Sequence, residues 1–297
     1  MNKTILYAIM VVVASSSYGI LSTIVKLAMQ AGFTSAEAIT SQYIVGFFLV
    51  LILYVLFDRT IPKLSLKGFG LIALGGFVTA SVGIVYGQSL NYLPASLAVV
   101  MLFQFTWIGL FIDCALKRRL PSRAETISLV LLLAGTILAA GVLNVDLSGI
   151  PMKGWALGLL SALGFAIFIQ INSRPVEGVT TLSRTLIVSI AAMILISLVL
   201  TPEIMWNGQF TSGLWKFGII LGLFGIVLPI LLLSIAVPKV GGGLASILSA
   251  MELPVAITVS VWLLPETITA LQIVGIGLVL IGMTLPSYYS LRKQRTT

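Results

Sequence analysis

Glu252 is the one carboxylate that the sequence places near the centre of a long apolar segment, residues 242–264. An ionised side chain in the hydrocarbon core of a membrane costs at least a few kcal/mol unless it is paired or hydrated. A carboxyl at this depth can bind a cationic group or a proton, which predicts a role in substrate binding and proton coupling. The alternative is a structural role, in which a protonated Glu252 forms a hydrogen bond between two helices.

Three polar or aromatic residues are expected to lie near Glu252. Gln104 is in the middle of another apolar segment, residues 94–116, and its amide can donate and accept hydrogen bonds. Trp107 follows Gln104 by three positions, and Ser249 precedes Glu252 by three. We predict that these side chains line one substrate site, with hydrogen bonding between helices as the alternative role for Gln104.

Tyr18, Tyr86 and Lys26 complete the candidate substrate-binding residues. The two tyrosines can supply aromatic walls that hold rings or quaternary cations. Tyr86 lies toward the end of its segment, where membership of an interfacial aromatic belt is the alternative. Lys26 lies roughly nine residues, or about 14 Å, from the centre of the first segment. It can pair with a substrate carboxylate or with Glu252, or it can extend toward the membrane surface.

Two prolines interrupt apolar segments and are predicted hinges. Pro254 cannot donate a backbone hydrogen bond, so it frees the carbonyl of Ala250, and Pro229 frees that of Gly225 in the same way. Freed carbonyls can allow bending or can bind a cation. We favour bending at both sites.

The sequence excludes several kinds of chemistry. It contains no histidine and a single cysteine, Cys114, so histidine-based triads, all-cysteine metal sites and an internal disulfide are ruled out. It has no Gly-x-x-x-x-Gly-Lys-Ser/Thr motif, so ATP-driven transport within the chain is unsupported. We therefore expect no metal and no cofactor. An intramembrane enzyme is disfavoured because no paired carboxylates are available.

The composition is typical of an integral membrane protein. Of 297 residues, 59% are hydrophobic and 9% are charged, and the mean hydropathy is +1.14. Apolar segments of the length that a bilayer requires predict ten transmembrane helices. They lie at residues 4–29, 36–57, 68–90, 94–116, 124–145, 153–173, 181–201, 215–237, 242–264 and 268–287. The predicted fold class is all-α, and the lipid bilayer is the expected surrounding.

Basic residues indicate the orientation of these helices. With both termini in the cytoplasm, the outer connections contain only Lys153 and Lys216, and most other basic residues fall on the inner side. This distribution explains the net charge of +8 by topology, so we expect no nucleic-acid partner. The predicted location is the cytoplasmic membrane.

The sequence contains an internal repeat with an offset of 147 residues, which divides the chain into residues 1–147 and 148–297. Leu97–Met101 falls on Leu244–Leu248 in this register, and Gly135 falls on Gly282. Five crossings in each half force the second half to enter from the opposite side, which makes an inverted repeat. Gly135 and Gly282 would also suit self-association, so a homodimer is an open expectation.

The second half carries a recognisable pattern. Residues 243–269 read GLASILSAMELPVAITVSVWLLPETIT, and they are followed by Gly275-Ile-Gly and Ile281-Gly282. This pattern resembles the second repeat of EamA-type transporters of the drug/metabolite transporter superfamily. The resemblance implies ten helices in two inverted five-helix repeats, a central cavity, alternating access, and export of amino acids or other small metabolites.

The two halves differ at mid-membrane, where Phe105 and Trp107 stand in place of Glu252 and Pro254. We predict a secondary transporter for a small metabolite, with export by alternating access and proton coupling through Glu252. Uptake, facilitated diffusion or exchange of cationic or quaternary amines is the alternative. An enzyme or a non-transporting structural protein belongs to a different class and is separated from these by flux measurements.

Overall fold

The computed structural model describes residues 3–89, 91–93, 95–141, 149–200, 202–264 and 268–296. These residues form helices joined by short connections, and no strand occurs among them. The α-helices are α1 Lys3–Gln30, α2 Ser35–Phe57, α3 Leu66–Ser89, α4 Ala95–Leu102, α5 Phe105–Leu116, α6 Arg123–Ala139, α7 Met152–Asn172, α8 Thr181–Val199, α9 Trp215–Gly222, α10 Leu228–Val240, α11 Gly242–Leu248, α12 Glu252–Leu263 and α13 Ala270–Thr296.

Eight helical stretches in the described ranges are long and apolar enough to cross a bilayer. Three of them combine shorter helices: Leu97–Leu116 joins α4 to α5, Phe210–Val240 joins α9 to α10, and Gly242–Leu263 joins α11 to α12. The prediction of an all-α membrane protein is therefore confirmed. Helices α6 and α13 occupy the two remaining predicted positions.

Side-chain caps fix the starts of several helices. Thr34 precedes α2 and forms a reciprocal pair of hydrogen bonds with Glu37, and Ser122 forms the same pair with Glu125 at the start of α6. Each pair satisfies two backbone N–H groups that a helix start leaves without partners. The polar sequence signals at these positions therefore set where the helices begin.

Small residues let the helices approach closely. A Cβ atom on Gly76 of α3 would meet the backbone of Val188 in α8. One on Gly135 of α6 would come within 2.8 Å of the carbonyl oxygen of Gly275 in α13. The hydroxyl of Ser128 donates to the carbonyl of Gly282 at 2.6 Å across this second interface. Packing of small residues and polar contacts between helices are the usual sources of stability inside a bilayer.

Two spans break at corresponding places. Helices α4 and α5 are separated by a turn at residues 103–104, and α11 and α12 by a 3₁₀ turn at Ser249–Met251. The starts of α4 and α11 lie 147 positions apart, and so do the starts and the ends of α5 and α12. A further irregularity, a π-helical segment over Leu223–Val227, joins α9 to α10.

Candidate functional site

Glu252 is the first residue of α12 and directly follows the 3₁₀ turn. Its side chain is half-buried, and its backbone lies against Gly19 of α1, where a Cβ atom would come within 2.5 Å of the Glu252 carbonyl oxygen. The glycine therefore allows α1 to approach the start of α12. This contact brings the neighbouring Tyr18 to the same region.

Two of the predicted tyrosines lie close to the Glu252 carboxyl. Tyr18 of α1 and Tyr86 of α3 each interact with it electrostatically, so three different helices contribute to one cluster. Among the described residues, none of the ion pairs includes the Glu252 carboxyl. Its described electrostatic partners are therefore phenols and not cations.

Tyr43 of α2 belongs to the same cluster and was not predicted from the sequence. It is buried, and it interacts electrostatically with Tyr18. Its hydroxyl donates to the backbone carbonyl of Thr79 in α3 at 3.2 Å. The absence of a side chain at Gly83 makes room for this hydroxyl, because a Cβ there would lie 3.3 Å from it. A tyrosine near the middle of an apolar segment was the available sequence signal.

An aromatic cluster joins this site to the first-half counterpart of Glu252. The ring of Tyr18 meets that of Phe165 edge to face at 5.9 Å between centroids, and Phe165 meets Phe105 in the same way at 4.7 Å. Phe105 is fully buried. Tyr18 is therefore linked to the first-half counterpart of Glu252 through the ring of Phe165.

Gln104 and Trp107 interact with each other. Gln104 lies at the turn between α4 and α5, and its amide nitrogen donates to the carbonyl of Val100 at 2.9 Å. The indole nitrogen of Trp107 donates to the amide oxygen of Gln104 at 2.7 Å. These bonds lie within one span and brace its break. Among the described residues, no hydrogen bond connects this pair to Glu252.

Two hydroxyls near Glu252 have unused hydrogen-bonding capacity. The hydroxyls of Tyr18 and Ser249 are buried and have no hydrogen-bond partner among the described residues. Ser249 lies in the 3₁₀ turn that immediately precedes Glu252. Buried hydroxyls are ordinarily paired. These two groups are therefore suited to a ligand or to water.

Lys26 is placed apart from this cluster. It is exposed on α1, seven residues beyond Gly19, which is about 10 Å along the helix axis. The exposed position agrees with a side chain that extends toward the membrane surface. Its assignment to the substrate site stays a prediction.

The two predicted hinge prolines each follow an irregular segment. Ala250, whose carbonyl Pro254 frees, lies in the 3₁₀ turn Ser249–Met251. Gly225, whose carbonyl Pro229 frees, lies in the π-helical segment Leu223–Val227. Missing backbone bonds account for irregular geometry at both places. Movement at either proline stays a prediction.

A second buried carboxylate, Asp113 near the end of α5, differs from Glu252 in being fully paired. Its side chain is 3% exposed, and it forms ion pairs with Lys117 at 2.8 Å and with Arg119 at 3.1 Å. Arg119 also binds Glu125 at 2.8 Å. This network lies at the end of the span and fixes the connection between α5 and α6.

Comparison with known proteins identifies the second half of the chain. The EamA-like transporter family matches residues 152–288, which include Glu252 and the break before it. Residues 152–288 are therefore similar to the EamA-like transporter family. The resemblance noted in the sequence is confirmed by this match. No curated protein matches the chain.

The fold also occurs among solved structures. One, described only as a crystal structure of a protein, superposes with a TM-score of 0.78 and covers 98% of this chain and 99% of that chain. The two sequences are 11% identical, so the likeness concerns the fold alone. It shows that the same helical fold extends over the whole length.

Proposed function

We propose that this protein is a secondary transporter that moves a small metabolite across the cytoplasmic membrane by alternating access, in the direction of export. The observation that carries the proposal is the Glu252 carboxyl, which lies at mid-span within the matched segment, interacts electrostatically with Tyr18 and Tyr86, and belongs to none of the described ion pairs. A carboxyl in this environment has no structural partner to neutralise it, which favours binding of a proton or a cationic solute.

We also propose that the chain consists of ten transmembrane helices in two inverted repeats, residues 1–147 and 148–297, with both termini in the cytoplasm. The 147-residue offset between helix ends in the two halves supports this arrangement. Helices α6 and α13, which begin at 123 and 270, obey the same offset. Together they supply the ninth and tenth crossings.

Helix packing supports the same repeat. Helix α1 packs on α10 and α12, and its counterpart α7 packs on α3 and α5. Helix α2 packs on α9, and its counterpart α8 packs on α3. Two further pairs, α2 with α8 and α6 with α13, join counterparts directly. An exchange of the two halves therefore returns these contacts, which is the pattern that a pseudo-twofold axis produces.

The site suggests how a substrate is bound. The Glu252 carboxylate can accept hydrogen bonds from an ammonium group, and the free hydroxyls of Tyr18 and Ser249 offer further acceptors. The rings of Tyr18, Tyr86 and Phe165 can hold an apolar or aromatic portion. An amino acid, an amine or a related metabolite has both features. Proton binding by Glu252 in the absence of substrate would couple transport to a proton gradient.

A counterflow screen in proteoliposomes tests the transport function. Vesicles loaded with amino acids, aromatic metabolites or quaternary amines are diluted into the corresponding radiolabelled solute, and empty liposomes are the control. We expect transient accumulation of at least one amine-bearing solute. Conversion of a solute into a new product would instead identify an enzyme, and accumulation of anionic solutes alone would contradict the role of Glu252.

A further inference from the structure

A cleft of about 600 Å³ lies at the ends of α2 and α8, between the connection that follows α2 and the connection that precedes α8. It combines cationic, hydroxyl and apolar side chains. Its lining consists of Arg59, Thr60, Ile61, Pro62, Lys63, Gly178, Val179 and Thr180. The proposed function leaves this cleft without a role.

A backbone contact holds the two walls of the cleft together. The N–H of Lys63 donates to the carbonyl of Gly178 at 2.9 Å. Gly178 has φ +74, and a Cβ atom there would overlap with the carbonyl oxygen of Lys63. Both facts call for glycine at this position. The cleft is therefore a fixed feature formed by one connection from each half of the chain.

Asp58, which precedes Arg59 in the chain, already accepts hydrogen bonds from hydroxyl groups. The carboxylate of Asp58 accepts hydrogen bonds from Thr180 and Thr60, and a longer one from Ser183 at 3.4 Å. The cations are less engaged. The Nε of Arg59 donates to the carbonyl of Val55, which leaves the two terminal nitrogens of its guanidinium group available.

The backbone of Arg59 presents this side chain in an uncommon way. Its φ of 53° lies in the left-handed region, which favours glycine and is rare for a long side chain. The proposed orientation of the helices requires only that positive charge lie on this side of the membrane. The left-handed φ follows from the end of α2, since Arg118 has a similar φ of 50° after α5, but neither topology nor the helix end accounts for the cleft beside Arg59.

Apolar side chains flank the cationic ones. Phe57, Ile61 and Leu66 are 74%, 87% and 87% exposed at the boundary of the spans. Such exposure has a physical reason at a membrane surface, where these side chains can contact acyl chains. Charged and apolar groups thus lie side by side, as an amphiphilic ligand requires.

We propose that this cleft binds the phosphate of an anionic lipid headgroup through Arg59 and Lys63, with Ile61 against the acyl region. Phosphate geometry suits the paired donors of a guanidinium group. Basic clefts between helices at the cytoplasmic side are a recurrent form of anionic-lipid site. The proposal concerns lipid binding and is independent of the substrate of the central site.

The test measures binding of phosphatidylglycerol to the purified full-length protein by native mass spectrometry, with phosphatidylcholine as the neutral comparison. The double variant Arg59→Gln/Lys63→Gln removes the two cations. Arg118→Gln/Lys239→Gln removes two exposed cations elsewhere on the same proposed face and serves as the matched control. The charge-conserving variant Arg59→Lys/Lys63→Arg reports whether altered side chains at these positions disturb folding.

We expect roughly tenfold or greater weakening of phosphatidylglycerol binding in the first variant, near-unchanged binding in the control and retained binding in the charge-conserving variant. Equal losses in the first variant and the control would overturn the proposal in favour of general surface charge. Unchanged binding in the first variant would also overturn it. Displacement of the bound lipid by millimolar inorganic phosphate would reassign the cleft to a free phosphate ligand.

Discussion

At the scale of single residues, the surroundings of two carboxylates separate a candidate functional group from a structural one. Asp113 is buried and forms ion pairs with two basic side chains, so its charge is balanced within the protein. Glu252 interacts electrostatically with Tyr18 and Tyr86 and belongs to none of the ion pairs among the described residues. An unbalanced charge at mid-span is unfavourable without a ligand or proton. This contrast is the basis for assigning binding to Glu252.

Replacement of Tyr43 by phenylalanine tests the wider cluster. Loss of the hydroxyl removes its hydrogen bond to the Thr79 carbonyl, which we expect to destabilise the protein by about 1 kcal/mol. We also expect a several-fold loss of transport, because Tyr43 interacts electrostatically with Tyr18. Tyr54→Phe is the matched control, since the Tyr54 hydroxyl makes a similar bond to the Thr60 carbonyl at the periphery. Equal transport in the two variants would remove Tyr43 from the site.

Asp58 gives a prediction for pH dependence. Hydrogen bonds from Thr180 and Thr60 lower the pKa of Asp58 below its ordinary value. The carboxylate therefore stabilises the folded protein above the pKa of the unfolded chain, and this contribution is lost as pH falls through the lower pKa of the folded state. We expect Asp58→Asn to melt below wild type at neutral pH, with the difference shrinking under acidic conditions. A difference that stays constant from pH 7 to pH 3 would contradict this linkage.

The sequence predicted individual site residues where polarity or charge made them conspicuous. Glu252 was evident because it is a charge inside an apolar segment. Tyr43 was missed because tyrosine is common in such segments, and only the fold brings it to Tyr18. The hydrogen bonds of Gln104 to Val100 and Trp107 were also missed, because they form at a local break between α4 and α5 that hydropathy does not predict.

At the scale of helices, close packing by glycine gives a matched pair of substitutions on α13. A Cβ on Gly275 would meet the backbone of α6, including the Gly135 carbonyl oxygen at 2.7 Å, whereas one on Gly277 meets nothing within 4 Å. We expect Gly275→Leu to destabilise the protein by roughly 1–3 kcal/mol through overpacking, and Gly277→Leu to have little effect. Thermal unfolding in detergent measures both. Equal melting temperatures would show that α6 and α13 do not pack as described.

This interface also bears on self-association. Gly135, Gly275 and Gly282 are engaged in packing α6 against α13 within one chain. They are therefore not the surface through which a homodimer would form. A homodimer stays a prediction that would need another face.

Helix positions were largely predictable, since apolar length and the capping pairs at Thr34 and Ser122 are local properties. The predicted helix at 124–145 extends too far, because the helix in the structure ends at Ala139. Residues 142–148, where the boundary between the two halves was predicted, lie outside the described part of the chain. The 3₁₀ and π segments were anticipated only as kinks at Pro254 and Pro229.

At the scale of the whole molecule, the proposed inverted topology makes opposite predictions for two similar residues. Glu177 precedes α8 and Glu203 follows it, and both are exposed. In a background in which Cys114 is replaced by alanine, we expect Glu203→Cys to react with an impermeant maleimide in intact cells. Glu177→Cys should react only after permeabilisation. Labelling of both variants from the same side would exclude a single crossing by α8.

The repeat was visible in the sequence as weak residue matches that share one 147-residue offset. The helix bounds and the corresponding helix contacts in the two halves support it independently. What the sequence could not supply is the close approach of α1 to the start of α12 at Glu252. Distances between helices depend on which small residues meet, as at Gly19. Such meetings follow from the complete packing arrangement.

Transport by Glu252→Gln is the most direct test of the central claim. In proteoliposomes, the substrate found by counterflow is assayed with and without a pH gradient, and Glu203→Gln, an exposed carboxylate outside the site, is the matched control. We predict that Glu252→Gln loses at least tenfold of the substrate flux and no longer responds to the pH gradient, and that the control shows neither change. Wild-type flux and an unchanged response to the gradient in Glu252→Gln would contradict it.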